Sequence, residues 1–140
     1  MTELTGPHRF QMDDWLSCAP FEQLLHMQII EASEGNATLE MPFLLEFAQG
    51  SGLMHGGALV SLADTAVVMA IKSMIPARTH FVTVSLATDF LRAVKQGVVT
   101  ARAKATHQGG DKWMGEASVF DEEGRVVVEF SSLFRVLEVL

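Results

Sequence analysis

Two features of the chain, eight residues apart, carry groups that are suited to chemistry at a carbonyl carbon. The first is the run Gly52–Gly57, which reads Gly-Leu-Met-His-Gly-Gly. Backbone N–H groups at a helix start lack intrahelical acceptors and bind negative charge. The second is Asp64, placed among alanine, valine, leucine and methionine, where a carboxylate loses hydration at a large free-energy cost. Because perturbed carboxylates concentrate at working sites, the pair indicates an enzyme that acts on a carbonyl group.

The segment that carries Asp64 predicts one long helix, from about Gly57 to Met74, which Pro76 closes. The helix is apolar on nearly every side, which is typical of an element at the centre of a fold. A helix covered in this way needs a curved sheet around it, so we expect an α+β architecture in a single domain, 1–140.

The remaining pattern predicts a strand pair before the helix and a meander of antiparallel strands after it. In the first strand after the helix, Thr83, Ser85 and Asp89 share one face. Asp89 has either a site role or an ion pair with Arg102, and Phe90 is expected to fill the core. The predicted strands are 27–32, 36–41, 82–91, 99–106, 113–119 and 125–137. The segment 1–9 is predicted to be a loose tail, 10–27 two short helical pieces around a proline, and 42–52 a loop.

Composition restricts the class of protein further. A net charge of −7 argues against a nucleic-acid binder, which needs a basic surface. The single cysteine, Cys18, excludes an intrachain disulfide and fits a cytoplasmic protein. There is no uninterrupted apolar run of about 18 residues, so we expect no membrane span. The histidines show no metal-ligand spacing, and we expect neither a metal nor a cofactor.

The order of strand pair, long helix and strands is that of the hotdog fold, and the residues around the helix start resemble the PaaI-like acyl-CoA thioesterases. Gln49 lies seven positions before Gly56, and Asp64 lies eight after it, which is similar to the Asn/Gln, His-Gly-Gly and acid pattern of that family. The similarity covers roughly 20–137. It implies a homo-oligomeric enzyme, a dimer or a tetramer, that hydrolyses an acyl-CoA.

For this chemistry, the Gly56 amide is expected to polarise the carbonyl oxygen, and Asp64 to serve as nucleophile or general base. Eight residues of helix place the two about 12 Å apart along the axis, too far to meet on one substrate. We therefore expect one chain's Gly56 to serve a site that another chain's Asp64 completes. The alternative is that Asp64 only bonds a neighbouring loop.

Three more residues are candidates for the catalytic site. The resemblance implies that Gln49, where the family often has Asn, orients the nucleophile or water; otherwise it is a solvated loop residue. Thr83 either lies close to the acid or is an ordinary strand threonine. His55 is either a base or, as its place at the helix start favours, a residue that bonds the loop backbone. The candidates for substrate binding are Gly57, Arg92, Lys95 and Lys112. The three cations among them are candidates for binding the CoA phosphates.

Two other functions stay open. A hotdog hydratase or dehydratase needs a histidine paired with the acid, yet His80 lies sixteen residues beyond Asp64, past the helix end. A non-catalytic acyl-CoA-binding domain would keep the groove without the acid.

Overall fold

The secondary structure in a computed structural model, which describes residues 6–8, 12 and 14–139, closely follows the predicted order. Its elements are α1 (Pro20–Leu24), β1 (Gln28–Ser33), β2 (Asn36–Pro42), a 3₁₀ turn (Leu45–Phe47), α2 (Gly56–Lys72), β3 (Thr79–Phe90), β4 (Val98–Gly109), β5 (Lys112–Phe120) and β6 (Val126–Val139). Most of the predicted tail lies outside the described residues, as does part of the first helical piece. Residues 14–19 are not helical, so that prediction was wrong there.

The strands form one antiparallel six-stranded sheet in the order β1-β2-β4-β5-β6-β3. Helix α2 packs against the sheet, mainly on β2, β4 and β5. The arrangement confirms the predicted α+β hotdog architecture. At the closest approach of helix and sheet, a Cβ added to Gly115 would lie 2.1 Å from Cγ1 of Val67, so only glycine fits there.

The predicted meander needs one correction, because β3 does not pair with β4. Strands β4, β5 and β6 follow one another across the sheet, whereas β3 pairs with β6. The first edge of β4 is occupied by β2, which pairs with it from Asn36 to Pro42. The chain therefore crosses the end of the sheet after β3, which leaves β3 as an edge strand.

A β-bulge at Val84 changes which side chains of β3 face the helix. The register with β6 shifts between Thr83 and Ser85, so one extra residue is inserted. Leu86 and Phe90 consequently lie on the same face as Thr83, opposite buried residues of β6. The prediction that Thr83, Ser85 and Asp89 share a face was wrong, since a simple alternation does not anticipate a bulge.

Helix α2 is shorter than predicted and is not covered on every side. It ends at Lys72 rather than at Met74, because the Trp15 indole N–H donates to the Lys72 carbonyl oxygen (3.0 Å) and Ser73 caps the helix. One stripe of the helix is only half-buried in the single protomer, and it includes Ser61 and Asp64.

Candidate active site

The helix start is organised by His55, which is the N-cap residue of α2. Its ring Nδ1 accepts a hydrogen bond from the Gly57 N–H at 2.8 Å. A Cβ on Gly57 would lie 2.9 Å from this nitrogen, so the missing side chain permits the contact. The Gly56 N–H, in contrast, donates to no acceptor within the described part of the chain. The amide of Gly56 is therefore free to bind a substrate, whereas that of Gly57 is occupied.

Gly56 lines a cleft of about 360 Å³, which we call the Gly56 cleft and which also includes Gln49, Leu53, Phe90 and Arg92. A Cβ added to Gly56 would lie 3.1 Å from Cε1 of Phe90, so the ring crowds the glycine closely. Phe90 is 56% exposed, and the prediction that it fills the core was wrong. It is exposed because β3 lies at the edge of the sheet.

Gln49 lies in a tight turn at the rim of this cleft. Its side-chain oxygen accepts a hydrogen bond from the Ser51 N–H, and its own backbone N–H donates to the Leu53 carbonyl oxygen at 2.7 Å. The turn holds the side chain in place, and the two amide hydrogens of Gln49 remain available for a ligand.

Asp64 is half-buried on α2 and contacts the edge strand β3 through Thr83. Burial raises the pKa of its carboxyl above the usual range, a hydrogen bond from the Thr83 hydroxyl lowers it, and the negative charge of Glu22 raises it. The Thr83 Oγ1 donates to Asp64 Oδ1 at 3.5 Å, a long bond that Asp64 can exchange for a ligand. Within the described residues no backbone N–H donates to Asp64, so it does not cap a loop.

The cleft beside Asp64, here the Asp64 cleft, has a volume of about 260 Å³. It is lined by Phe21, Glu22, Ser61, Asp64, Thr65 and Val68. None of these residues lines the Gly56 cleft, and the two groups are about 12 Å apart along the helix axis. In one protomer, the acid and the free amide therefore face different spaces.

The candidate cations lie in two places. Arg92 and Lys95 line a cleft of about 490 Å³, the cation cleft, which shares Arg92, Ala93 and Val94 with the Gly56 cleft. The acids Asp121, Glu122 and Glu123 line its other side. Arg125 also lines it, but pairs with Asp121 at 2.9 Å. Lys112 begins β5 at the opposite end of the sheet, about 27 Å from the Phe120 end. The three predicted cations do not form one cluster within a protomer.

Among the residues of the Asp64 cleft, sequence reasoning identified only Asp64. Phe21 and Glu22 come from α1, about forty residues away in sequence, and no local pattern links them to Asp64. Glu22 also accepts a hydrogen bond from the Ala19 N–H at 3.2 Å, which orients it at the start of α1. Ser61 could have been found, because residues three apart on a helix are neighbours.

Neither a metal site nor a membrane-spanning helix is present in the described residues. No group of three or more His, Cys, Asp or Glu side chains there has an arrangement that could hold a metal ion. Among the helices of these residues, none combines the length and the apolar character that a membrane crossing requires.

Comparison with known proteins defines the class of protein. The family model described as Thioesterase superfamily matches residues 51–128. The chain is 31% identical over 104 residues to "Putative esterase VC_A0580" of Vibrio cholerae, covering 73% of this chain and 69% of that protein. It therefore belongs to the thioesterase superfamily, a family of hydrolases with the hotdog fold.

Solved structures refine this assignment. The PaaI protein of E. coli, from the phenylacetic acid degradation operon, superposes with a TM-score of 0.79 at 28% identity, covering 86% of each chain. The thioesterase HI1161 of Haemophilus influenzae has a TM-score of 0.79 at 25% identity, covering 86% of this chain and 84% of that one. Within the superfamily, the chain is PaaI-like.

Proposed function

We propose that the protein is a cytoplasmic acyl-CoA thioesterase whose active site forms between two subunits. Asp64 of one subunit acts as nucleophile or general base, and the amide of the partner subunit's Gly56 polarises the thioester carbonyl. The observation that carries the proposal is the separation of the two groups on α2. The carboxylate of Asp64 is half-buried and the amide of Gly56 is unbonded. Each lies at a cleft that does not contain the other group.

The exposed edge strand supports the assembly. On β3, Val82, Val84, Leu86 and Phe90 are 40 to 56% exposed in the single protomer. A long apolar edge strand is a template for pairing with another chain. An antiparallel pair of β3 strands with its two-fold axis near Leu86 would bring Thr83 of one subunit beside Phe90 of the partner subunit.

Such a pair would bring together the two halves of the site. Thr83 bonds Asp64, and Phe90 packs beside Gly56, so the β3 pairing would carry the acid of one subunit towards the amide of the other. By symmetry, two equal sites form in each dimer. A tetramer of such dimers would keep the same sites.

In the proposed reaction, the Gly56 N–H donates to the carbonyl oxygen as negative charge develops on it. Asp64 either attacks the carbonyl carbon, which gives an anhydride that water then hydrolyses, or removes a proton from a water molecule that attacks. The C–S bond breaks, the thiolate of CoA takes a proton, and the free acid leaves. Burial suits Asp64 to this task, because the raised pKa makes its carboxylate a better base.

The remaining residues complete this proposal. Arg92 and Lys95, which have no ion pair among the described residues, would hold CoA phosphates in the cation cleft next to Gly56. Gln49 would orient the thioester or the water. His55 and Gly57 would shape the helix start. A hydratase would need a histidine beside the acid, and among the described residues none lines the Asp64 cleft of the same subunit.

Release of free thiol from a panel of acyl-CoAs tests the function, with Asp64→Asn as the variant and Glu116→Gln, an exposed residue of the sheet, as the control. Loss of a general base costs about 10²–10⁴-fold in kcat. We expect that loss for Asp64→Asn, with unchanged folding, and full activity for Glu116→Gln. Undiminished hydrolysis by Asp64→Asn would exclude the mechanism. Consumption of an enoyl-CoA without thiol release would favour the hydratase.

A further inference from the structure

A second space opens beside Asp64, on the side away from β3. It lies between α1, the 3₁₀ turn and the start of α2, and its volume is about 360 Å³. We call it the α1 cleft, and its main lining residues are Phe21, Leu25, Phe47, Ala58 and Ser61. This volume falls in the range of small-molecule sites, which span about 300–1,000 Å³.

The α1 cleft offers apolar walls and few free polar groups. Leu25, Phe47 and Ala58 are buried core residues whose surfaces form its floor. Two polar groups that line the cleft are already bonded within the chain. Ser61 Oγ donates to the Gly57 carbonyl oxygen at 2.8 Å, and Nδ1 of His55 accepts from the Gly57 N–H. The exposed carboxylate of Glu46 and Nε2 of His55 also line the cleft. At its apolar floor a polar ligand would lose its hydration without recovering its hydrogen bonds, so the floor favours an apolar group.

The α1 cleft is continuous with the Asp64 cleft, because Phe21 and Ser61 line both. Ser61 precedes Asp64 by three residues and lies next to it on the helix surface. A group that enters the α1 cleft from the carboxylate must therefore pass Ser61.

We propose that the α1 cleft holds the acyl group of the thioester, and that Ser61 and Phe21 at its entrance determine which acyl groups are accepted. This inference rests on the proposed function. It commits the site to apolar acyl groups larger than acetyl, such as a medium-length chain or an aryl group. The two subunits would then divide the substrate. The subunit with Asp64 holds the acyl group, and the subunit with Gly56 holds CoA through its cation cleft.

The test is the ratio of kcat/KM for octanoyl-CoA and phenylacetyl-CoA to that for acetyl-CoA, measured for wild type and variants. Burial of one methylene contributes about four-fold to an equilibrium or specificity constant. For the wild type we expect kcat/KM to rise by about this factor with each methylene until the cleft is filled. Ser61→Leu, which fills the entrance, is expected to lower the octanoyl to acetyl ratio by about ten-fold or more.

Ser131→Leu is the matched control, since Ser131 is exposed on the outer face of β6 and lines neither cleft. Its ratio should equal that of the wild type. Phe21→Ala is a second variant for the case that Ser61→Leu does not fold. Phe21 is 55% exposed, so its loss leaves the core intact, and the octanoyl ratio should fall several-fold.

The outcomes separate this inference from the function on which it rests. Absence of thiol release from every acyl-CoA would exclude the thioesterase itself. Thiol release with the same octanoyl to acetyl ratio of kcat/KM in wild type, Ser61→Leu and Phe21→Ala would support the thioesterase function. It would exclude the α1 cleft as the acyl site. A wild type that prefers acetyl-CoA would exclude it as well.

Discussion

The Asp64 cleft and the Gly56 cleft, on the same helix, present opposite kinds of group to a substrate. The first holds a carboxylate whose pKa is raised by burial and by the nearby Glu22. The second holds an unbonded backbone N–H and opens towards Arg92 and Lys95. One side is suited to attack a carbonyl carbon, and the other to bind its oxygen and an anionic leaving group.

Under the proposed mechanism, this difference makes a single protomer an incomplete enzyme. The rigid helix keeps the two groups about 12 Å apart, and no side-chain rotation closes that gap. The edge strand β3 touches both clefts, through Thr83 at one and through Phe90 at the other. A second copy paired on β3 is the proposed means by which unlike half-sites meet.

The largest expected effect follows from preventing the proposed pairing of two β3 edge strands. Val84→Lys places a charge on the bulge of β3, where Val84 is 55% exposed, and charged side chains oppose edge pairing. We expect a monomer in light scattering and a loss of turnover of about 10²-fold or more, as for loss of a catalytic group. Val98→Lys makes the same change at a 38% exposed valine on β4 and should leave both properties intact. A fully active Val84→Lys monomer would contradict the shared site.

Dimers that contain two different variants test whether the Asp64 cleft and the Gly56 cleft act together across subunits. Gly56→Val blocks one half-site, since even a Cβ at that position meets Phe90 at 3.1 Å, and Asp64→Asn disables the other. Each variant alone should be nearly inactive. After unfolding and refolding together, half of the dimers are mixed, and one of their two sites has both native groups.

Such a mixture should therefore recover about a quarter of wild-type turnover, as expected for a symmetric dimer with two shared sites. Refolding each variant separately is the control. No recovery in mixtures that do contain mixed dimers would show that both groups act within one chain.

The pH dependence separates the neighbours of Asp64. Its carboxylate must be ionised to act, so the acid limb of kcat/KM should lie above the usual pKa of an aspartic acid. Glu22→Gln removes a charge that raises this pKa and should move the limb to lower pH. Thr83→Val removes a hydrogen bond that lowers it and should move the limb to higher pH. Shifts in the same direction would contradict this account of the cleft.

The smallest expected effect concerns stability. Because the pKa of Asp64 is higher in the folded state, the folded state loses stability as pH rises from the usual aspartic acid pKa through the folded one. Above that window the loss is complete. Asp64→Asn should therefore raise the Tm by a few degrees at neutral pH. The difference should vanish below the window, and thermal melts at several pH values measure it.

Several features could be predicted from local sequence because local physics governs them. The hairpin of β1 and β2 is one, because its alternating residues flank a turn at Glu34 and Gly35. The long helix is another, since between its glycines and Lys72 it is apolar except at Ser61, Asp64 and Thr65. The separation of Gly56 and Asp64 along that helix is a third, because the rise of a helix does not depend on its surroundings.

Other features depend on contacts between distant residues. The bulge at Val84 depends on how β3 pairs with β6, and no residue within β3 indicates it. The place of Lys112 at the far end of the sheet follows from strand order. The end of α2 at Lys72 depends on the Trp15 indole, 57 residues away in the chain.

By itself, the sequence determined which groups can do chemistry and how far apart a helix must hold them, because helix geometry and the burial of apolar residues follow from local order. Only the tertiary structure decided what surrounds Asp64. Glu22, Phe21 and Thr83 reach it from α1 and β3, and the free energy that brings them there comes from burial across the whole sheet. The pKa of Asp64 and the shape of its clefts are therefore properties of the fold.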